Sequence, residues 1–466
     1  RNLVHKLWFH QWMEKNFYKR YRVEGDSMAG AMVSIVGRPN VGKSTLFNKI
    51  MGKRISIVED KPGVTRDRIY GNVEWLDKKF ILVDTGGLDP NAEDILFSKV
   101  RLQVEAAIDT SDVILFLVDA KEGLMPEDEE IANILRRAKK EVILVCNKVD
   151  SFKEMPPTYY DFFSLGLGNP IPISASNGLG IGELLDEVVK RLPQEELEYT
   201  EETIKIAVIG KPNVGKSSLV NKILGEERVI VSNIPGTTRD AIDTPFSKDG
   251  KNYVLIDTAG IRRKSRISES IERYSVLRAL AAIERSDICL LMIDATEGPT
   301  EQDTKIAGYA FENGKGIIIV VNKWDAIKKD NNTVNEYTKM VREKLSFISF
   351  APILFISAKT GQRVHRVLET VDKVWEEYNK RITTGLLNNV LNEAMLMFPP
   401  PADKGKPLKV YYTSQVGIKP PSFVVFVNEP ELMHFSYLRF IENTLRQNFG
   451  FEGVPIVIST KKRGEN

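Results

Sequence analysis

Only two cysteines, Cys146 and Cys289, occur among the 466 residues. Both lie inside apolar runs that read as central strands, so buried free thiols are expected, and nothing points to a disulfide framework or a zinc site. No apolar stretch reaches the ~20 residues that span a bilayer. The segment Arg1 to Arg22 is aromatic and basic, without the apolar core or small-residue cleavage site of a signal peptide. A reducing, cytoplasmic setting with no membrane partner is therefore expected. Charge of one sign is also lacking: 65 Lys and Arg against 63 Asp and Glu leave +2, a balance that names no partner and hides local blocks. Residues 1–31, with Met28 close to their end, are expected to be a non-native or disordered leader, an amphipathic membrane-surface helix being the rival reading.

What the chain does have is repetition on the scale of a whole domain. Gly37-Arg-Pro-Asn-Val-Gly-Lys-Ser44 returns 173 residues later as Gly210-Lys-Pro-Asn-Val-Gly-Lys-Ser217. Pro62-Gly-Val-Thr-Arg-Asp67 returns as Pro235-Gly-Thr-Thr-Arg-Asp240, and Asp84-Thr-Gly-Gly87 as Asp257-Thr-Ala-Gly260, at the same spacing. The spacing then drifts, through Asn147-Lys-Val-Asp150 against Asn322-Lys-Trp-Asp325 to Ser174-Ala175 against Ser357-Ala358. Constant spacing followed by drift is the mark of a duplicated domain with loop insertions, and it excludes a short-period solenoid.

Each copy alternates apolar strand-like runs with longer helical patterns, which predicts an α/β fold with a mostly parallel sheet covered on both faces. The strands are expected at 33–36, 80–83, 113–118, 142–146 and 171–173, and again at 206–209, 253–256, 288–293, 316–321 and 353–356. The expected organisation is a first domain at 32–192, an acidic linker at 193–203, a second domain at 204–382 and a small α+β domain at 383–466. That last segment reads as α-β-β-α-β: a helix over 386–397, strands at 408–413 and 422–427, a helix over 431–448 and a strand at 455–459.

The repeated motifs begin where strands end, the edge at which open α/β sheets bind ligands. Gly37, Gly42, Lys43 and Ser44, like Gly210, Gly215, Lys216 and Ser217, have the P-loop spacing. The glycines let successive N–H groups face phosphate oxygens, and the following helix adds its positive end. Lys43 and Lys216 can reach the β- and γ-phosphates of a nucleotide; Ser44 and Ser217 can ligate Mg²⁺, and Thr45 and Ser218, the residues after them, are further nucleotide-binding candidates. Asp84 and Asp257 can hold Mg²⁺ through water. The amides after them, at Gly86 and Gly87 or at Gly260, can meet the γ-phosphate. Thr65 and Thr238 lie in the loop before the next strand and can complete the Mg²⁺ shell when a nucleoside triphosphate is bound; Thr237 is an alternative to Thr238. Lys43, Thr65, Lys216 and Thr238 are thus the candidate catalytic residues.

The base is chosen by Asp150 and Asp325, whose carboxylates can accept from guanine N1–H and N2–H₂; adenine offers neither donor there. Asn147 and Asn322 can bind the other edge of the base. The stems of Lys148 and Lys323 cover its flat face, and the backbone at Ser174-Ala175 and Ser357-Ala358 can donate to O6. GTP and GDP are therefore the expected ligands at two sites.

With these motifs the chain resembles the translation-factor-related GTPases, and two such domains before a short third one resemble the Der (EngA) family of bacterial ribosome-assembly GTPases. The resemblance covers about residues 32 to 466. It implies two P-loop G domains and a KH-like C-terminal domain. It also implies GTP hydrolysis and association with the large ribosomal subunit and its RNA rather than DNA, by a chain expected to be monomeric off the ribosome. Where Ras-like proteins place a water-orienting Gln, this chain has Leu88 and Ile261. Related GTPases with that substitution use K⁺ held partly by a P-loop Asn, the position of Asn40 and Asn213. A Gly-x-x-Gly loop that clamps RNA, as in KH modules, is not expected of the C-terminal segment, although Gly450-Phe-Glu-Gly453 has that spacing. The basic run Arg262 to Arg266 and the basic tail Lys461 to Arg463 are the candidates for phosphate contact. The alternative function is an RNA-docking scaffold in which one G domain holds nucleotide passively.

Overall fold

A computed structural model describes residues 31–52, 70–88, 96–138, 140–193, 202–225, 229–231, 243–256, 271–330, 332–400, 402–403 and 406–463. They fall into two compact units, divided near residue 197, each described by itself below.

In the first unit the elements run β1 (Ala31–Val36), α1 (Lys43–Met51), β2 (Tyr70–Trp75), β3 (Lys78–Asp84), α2 (Leu96–Thr110), β4 (Val113–Asp119), α3 (Pro126–Arg137), β5 (Glu141–Asn147), β6 (Ile171–Pro172) and α4 (Ile181–Arg191). The sheet order is β2-β3-β1-β4-β5-β6, parallel except where β2 pairs antiparallel with β3. Every residue of β4 is buried. Val113, Leu115 and Leu117 pack into one apolar cluster with α1 and α4, and Ile114, Phe116 and Val118 into another with α2 and α3. That two-sided burial is why the strand reads as an unbroken apolar run. Cys146, on β5, is buried, and burial pushes its thiol up to about 12.

The second unit repeats the plan: β7 (Ile204–Ile209), α5 (Lys216–Leu224), β8 (Val229–Val231), β9 (Thr244–Lys248), β10 (Lys251–Ile256), α6 (Ile271–Arg285), β11 (Ile288–Asp294), α7 (Glu301–Glu312), β12 (Gly316–Asn322), α8 (Thr333–Lys344), β13 (Ile353–Phe355) and α9 (His365–Tyr378). Its sheet order is β13-β12-β11-β7-β10-β9-β8. The central strands are parallel and β9 is antiparallel to both neighbours. Each of the ten strands expected from apolar runs coincides with an observed strand, the expected 171–173 and 353–356 running one residue past β6 and β13. The half-buried β2 and β9 and the short β8 had no such run to announce them.

The same unit continues through α10 (Thr384–Met397), a small hairpin of β14 (Ala402–Asp403) and β15 (Lys406–Pro407), then β16 (Val410–Gly417), β17 (Ser422–Val427), α11 (Phe435–Phe449) and β18 (Val457–Lys462). This is the expected α-β-β-α-β order with one added hairpin. Lys461 and Lys462 belong to β18, paired with Phe426 and Val427, rather than to a loose tail. One apolar cluster runs from β7 through α9 into α10, β17 and α11, so the last domain shares a core with its neighbour. The seam is also hydrogen-bonded: Ile317 N–H donates to Gly453 O at 2.7 Å, Gly453 N–H to Phe350 O at 2.9 Å and Lys419 N–H to Tyr378 O at 3.2 Å. Gly453 has φ 77°, and a Cβ there would lie 2.4 Å from Val374 Cγ2; any side chain would push the domains apart.

Candidate functional site

Each P-loop joins a buried strand to a helix, and the geometry of the junction is the same in both copies. The helix starts at a left-handed glycine, Gly42 (φ 99°) or Gly215 (φ 102°). A Cβ on Gly42 would meet Asn147 Nδ2 at 2.3 Å, and one on Gly215 would meet Asn322 Nδ2 at 2.2 Å. Glycine is needed there both for the turn and for the approach of that asparagine. Asn40 and Asn213 also have positive φ, 64° and 61°, and both are exposed at the tip of the loop, as are Ser44, Thr45 and Ser218. Ser217 is half-buried.

Lys43 folds back over its loop and donates to Gly37 O and Arg38 O, each at 2.8 Å. Lys216 does the same to Gly210 O and Lys211 O, each at 2.6 Å. The ammonium thus sits on the inner rim of a ring of backbone, where a phosphate oxygen can replace the carbonyls. Burial lowers Lys43 to about 8, against the opposing pull of Asp84. Asp84 is buried at the end of β3, and its Oδ1 accepts from Gly86 N–H at 2.9 Å. Gly87 follows in the same short turn.

Asn147 and Asn322 spend their polar atoms inside the protein. Asn147 Nδ2 donates to Val41 O at 2.8 Å, and its Oδ1 accepts from Ala175 N–H at 3.0 Å. Asn322 repeats this with Val214 O at 2.8 Å and Ala358 N–H at 2.9 Å. Each asparagine therefore ties the P-loop to the Ser-Ala turn, a brace that its place in the sequence does not reveal. Ser174 Oγ donates to Asp150 Oδ1 at 2.9 Å. A hydrogen bond from Ser357 is the main reason the Asp325 carboxyl stays below its usual range. Both aspartates are exposed to the cleft.

The structure thus brings together, in the first unit, Gly37, Asn40, Gly42, Lys43, Ser44, Thr45, Asp84, Gly87, Asn147, Lys148, Asp150, Ser174 and Ala175. In the second it brings together Gly210, Asn213, Gly215, Lys216, Ser217, Ser218, Asn322, Lys323, Asp325, Ser357 and Ala358. Thr65, Thr238, Asp257, Gly260, Ile261 and the basic run 262–266 lie outside the described residues, as do residues 1–30.

Two kinds of ion pair, each present in both units, also belong to the sites. Arg38 donates to Asp128 Oδ2 at 3.2 Å and pairs with Glu122; Lys211 pairs with Glu297. Asp119, ending β4, pairs with Lys148, and Asp294, ending β11, pairs with Lys323, both at 2.5 Å. Self-comparison of the sequence carries the signal for them: Asp119-Ala-Lys-Glu-Gly123 returns as Asp294-Ala-Thr-Glu-Gly298.

Comparison with known proteins agrees with this geometry. The family described as "50S ribosome-binding GTPase" matches residues 32–148 and again 205–323. That described as "KH-domain-like of EngA bacterial GTPase enzymes, C-terminal" matches 381–461. The GTPase Der of Thermoanaerobacter pseudethanolicus is 99% identical over 439 residues, 94% of this chain and 100% of the relative. That of Caldanaerobacter subterraneus is 84% identical with the same coverage. The Alkaliphilus oremlandii protein is 61% identical over 92% of this chain and 98% of its own. Among solved structures, Aquifex aeolicus Era overlaps 71% of this chain and 93% of its own at 22% identity and a TM-score of 0.30, a level that adds nothing to the fold described above.

Proposed function

The chain belongs to the Der family of GTPases and is a GTP hydrolase, and from that premise we propose that it carries two guanine-nucleotide sites, both hydrolytic, working as a switch in maturation of the large ribosomal subunit. The observation that carries this reading is the repetition of one pocket in both units: a lysine over a glycine-turned loop, an asparagine brace, and an exposed aspartate beside a Ser-Ala turn.

The residues fit a Mg²⁺-bound nucleotide. Ser44 lies in the first turn of a helix whose amides open toward the phosphates, and Asp84 is a buried carboxylate near the neighbouring Lys43. Ser44, Thr65 and Asp84, with Ser217, Thr238 and Asp257 in the second copy, would hold the ion, which neutralises charge across the β- and γ-oxygens. Lys43 and Lys216 exchange their carbonyl partners for phosphate oxygens and stabilise charge that develops on them. Asp150 and Asp325 accept the two donors of guanine. Leu88 and Ile261 cannot orient water, so Asn40 and Asn213 are offered to K⁺, as in the related GTPases; equal turnover in KCl and NaCl contradicts this. The partners follow from the family: the large subunit and its RNA, met in the cytoplasm by a chain monomeric when unbound. Among the described residues no helix is long and apolar enough to cross a membrane.

Lys43→Ala and Lys216→Ala, made separately, are each expected to lower turnover at their own site by about 10² or more. A variant that keeps full turnover marks that site as a passive nucleotide holder. Preference for the large subunit is expected with GTP over GDP, and nucleotide-independent binding contradicts the switch.

A further inference from the structure

Asp119 and Asp294 occupy the same place in the two units, one step from the base-reading strand. In the sheet register Asp119 faces Asn147 and Asp294 faces Asn322, so each carboxylate stands beside the residue that precedes Lys148 or Lys323. One carboxylate oxygen is spent on its own loop. Asp119 Oδ1 accepts from the N–H of Lys121 at 2.9 Å, and Asp294 Oδ1 from Thr296 N–H at 2.9 Å and Thr296 Oγ1 at 2.7 Å. The other oxygen meets the lysine ammonium at 2.5 Å in both units, as a hydrogen bond in the second and as an ion pair in the first. The aspartates are almost fully buried, at 0% and 2% exposed, while the lysines are 34% and 40% exposed.

The lysines themselves are held unusually. Lys148 has φ 67° and Lys323 φ 62°, left-handed backbone that a long side chain adopts at a cost. The flanking amides keep it there: Val149 N–H donates to Ile173 O at 3.0 Å and Trp324 N–H to Ile356 O at 3.1 Å. A flexible four-carbon stem leaving such a turn has many rotamers, and pinning its far end to a fixed carboxylate removes most of them.

We propose that Asp119 and Asp294 are positioning residues that stretch the Lys148 and Lys323 stems across the cleft as a preformed apolar ledge for the flat face of the nucleotide base. The aspartates do not touch the nucleotide; they act through the lysine. Because a ledge reads the face and not the edge, its loss weakens every purine alike, whereas loss of Asp150 or Asp325 discriminates among them. This inference rests on the guanine reading of the pockets.

The test titrates the full chain with GDP and with inosine diphosphate, which lacks the exocyclic amine. Asp119→Asn keeps an oxygen for the loop amide and removes the charge that fixes the lysine. It is expected to weaken both ligands at the first site about tenfold, the scale of one charge-assisted hydrogen bond, with the second site as internal control. Lys148→Met is expected to give a similar loss, and the double variant is expected to be no weaker than either single one. Asp294→Asn repeats the test in the other unit, with the first site as control. Unchanged affinity, losses that add in the double variant, or a loss confined to GDP each overturn the ledge. Asp150→Asn separates the two ideas: if it leaves the preference for GDP over inosine diphosphate intact, the guanine reading itself has failed.

Discussion

In the first nucleotide unit Arg38 forks between Glu122 and the buried Asp128, and residue 125, the cap of α3, is a methionine. In the second, Lys211 pairs with Glu297, and Asp303 is served by Thr300, whose N–H and hydroxyl reach it at 2.9 and 2.7 Å. The same buried acid thus takes a P-loop cation as well as its cap amide, Met125 N–H at 3.3 Å, in one copy, and the amide and hydroxyl of its helix cap in the other. A forked guanidinium can bridge two carboxylates where an ammonium serves as a point charge, so the Arg/Met and Lys/Thr combinations each make a consistent set. A second asymmetry lies at the base-reading aspartates. Lys121 pairs with Asp150 at 2.7 Å, whereas the matching residue in the second unit is Thr296, bonded to Asp294. Duplication kept the phosphate-binding ring and let its supports diverge.

The largest expected effect asks whether the copies are alike where chemistry demands it. Asp150→Asn or Asp325→Asn replaces an acceptor with an amide donor, so the altered site is expected to lose guanine preference by about 10⁴ and to favour xanthine, whose C2 carbonyl accepts. Competition between GDP and xanthosine diphosphate at each site reads this out, and a response at one site alone would break the equivalence.

Next in size is the support of the loop. Arg38→Ala leaves Asp128 buried without its cation and is expected to cost the first unit about 3 kcal/mol. Lys211→Ala, whose partner Glu297 is 60% exposed, is expected to cost the second about 1 kcal/mol or less. Hydrogen exchange in α3 and α7 measures both. Burial already raises Asp128 to about 6, against the pull of Arg38, so part of the first loss is recovered at pH 5, where a neutral carboxyl needs no partner.

A smaller effect follows from Lys43, which burial holds at about 8 in the free protein. Phosphate favours the charged ammonium, so binding draws in a proton above pH 8. GDP affinity at the first site is expected to be flat below pH 8 and to fall above it by up to about tenfold per unit. The free protein moves the other way: its folded state binds this proton less tightly than the unfolded chain, so stability rises between pH 8 and 10.5. Calorimetric proton uptake in buffers of different ionisation enthalpy checks the first statement.

The smallest effect is that of Lys121→Thr, which copies the second site into the first. The pair it removes is exposed and worth at most about 1 kcal/mol. GDP affinity is expected to rise by a few-fold, with a weaker dependence on salt; a drop in affinity would mean that Lys121 helps to hold the base.

Much of this was legible before any coordinates. β4 and β11 are buried on both faces and read as apolar runs, and the P-loops follow from spacing alone. The elements that escaped are those whose pattern is diluted by exposure: β2 alternates between buried and half-buried positions, and β8 has three residues. The bracing role of Asn147 was hidden because side-chain direction is set by loops distant in sequence. Asp119 and Asp294 were visible in the repeat but carried no known chemistry until their partner lysines were placed. Reading 461–463 as a basic tail missed that β18 draws Lys461 and Lys462 into the sheet, since lysine seldom signals a strand.

The most direct test of twin guanine pockets is calorimetric titration of the purified, nucleotide-free chain with GDP, followed by competition with ADP. Two equivalents of GDP per chain, neither displaced by ADP, are expected. A single equivalent, or displacement by ADP at similar concentration, would contradict the assignment.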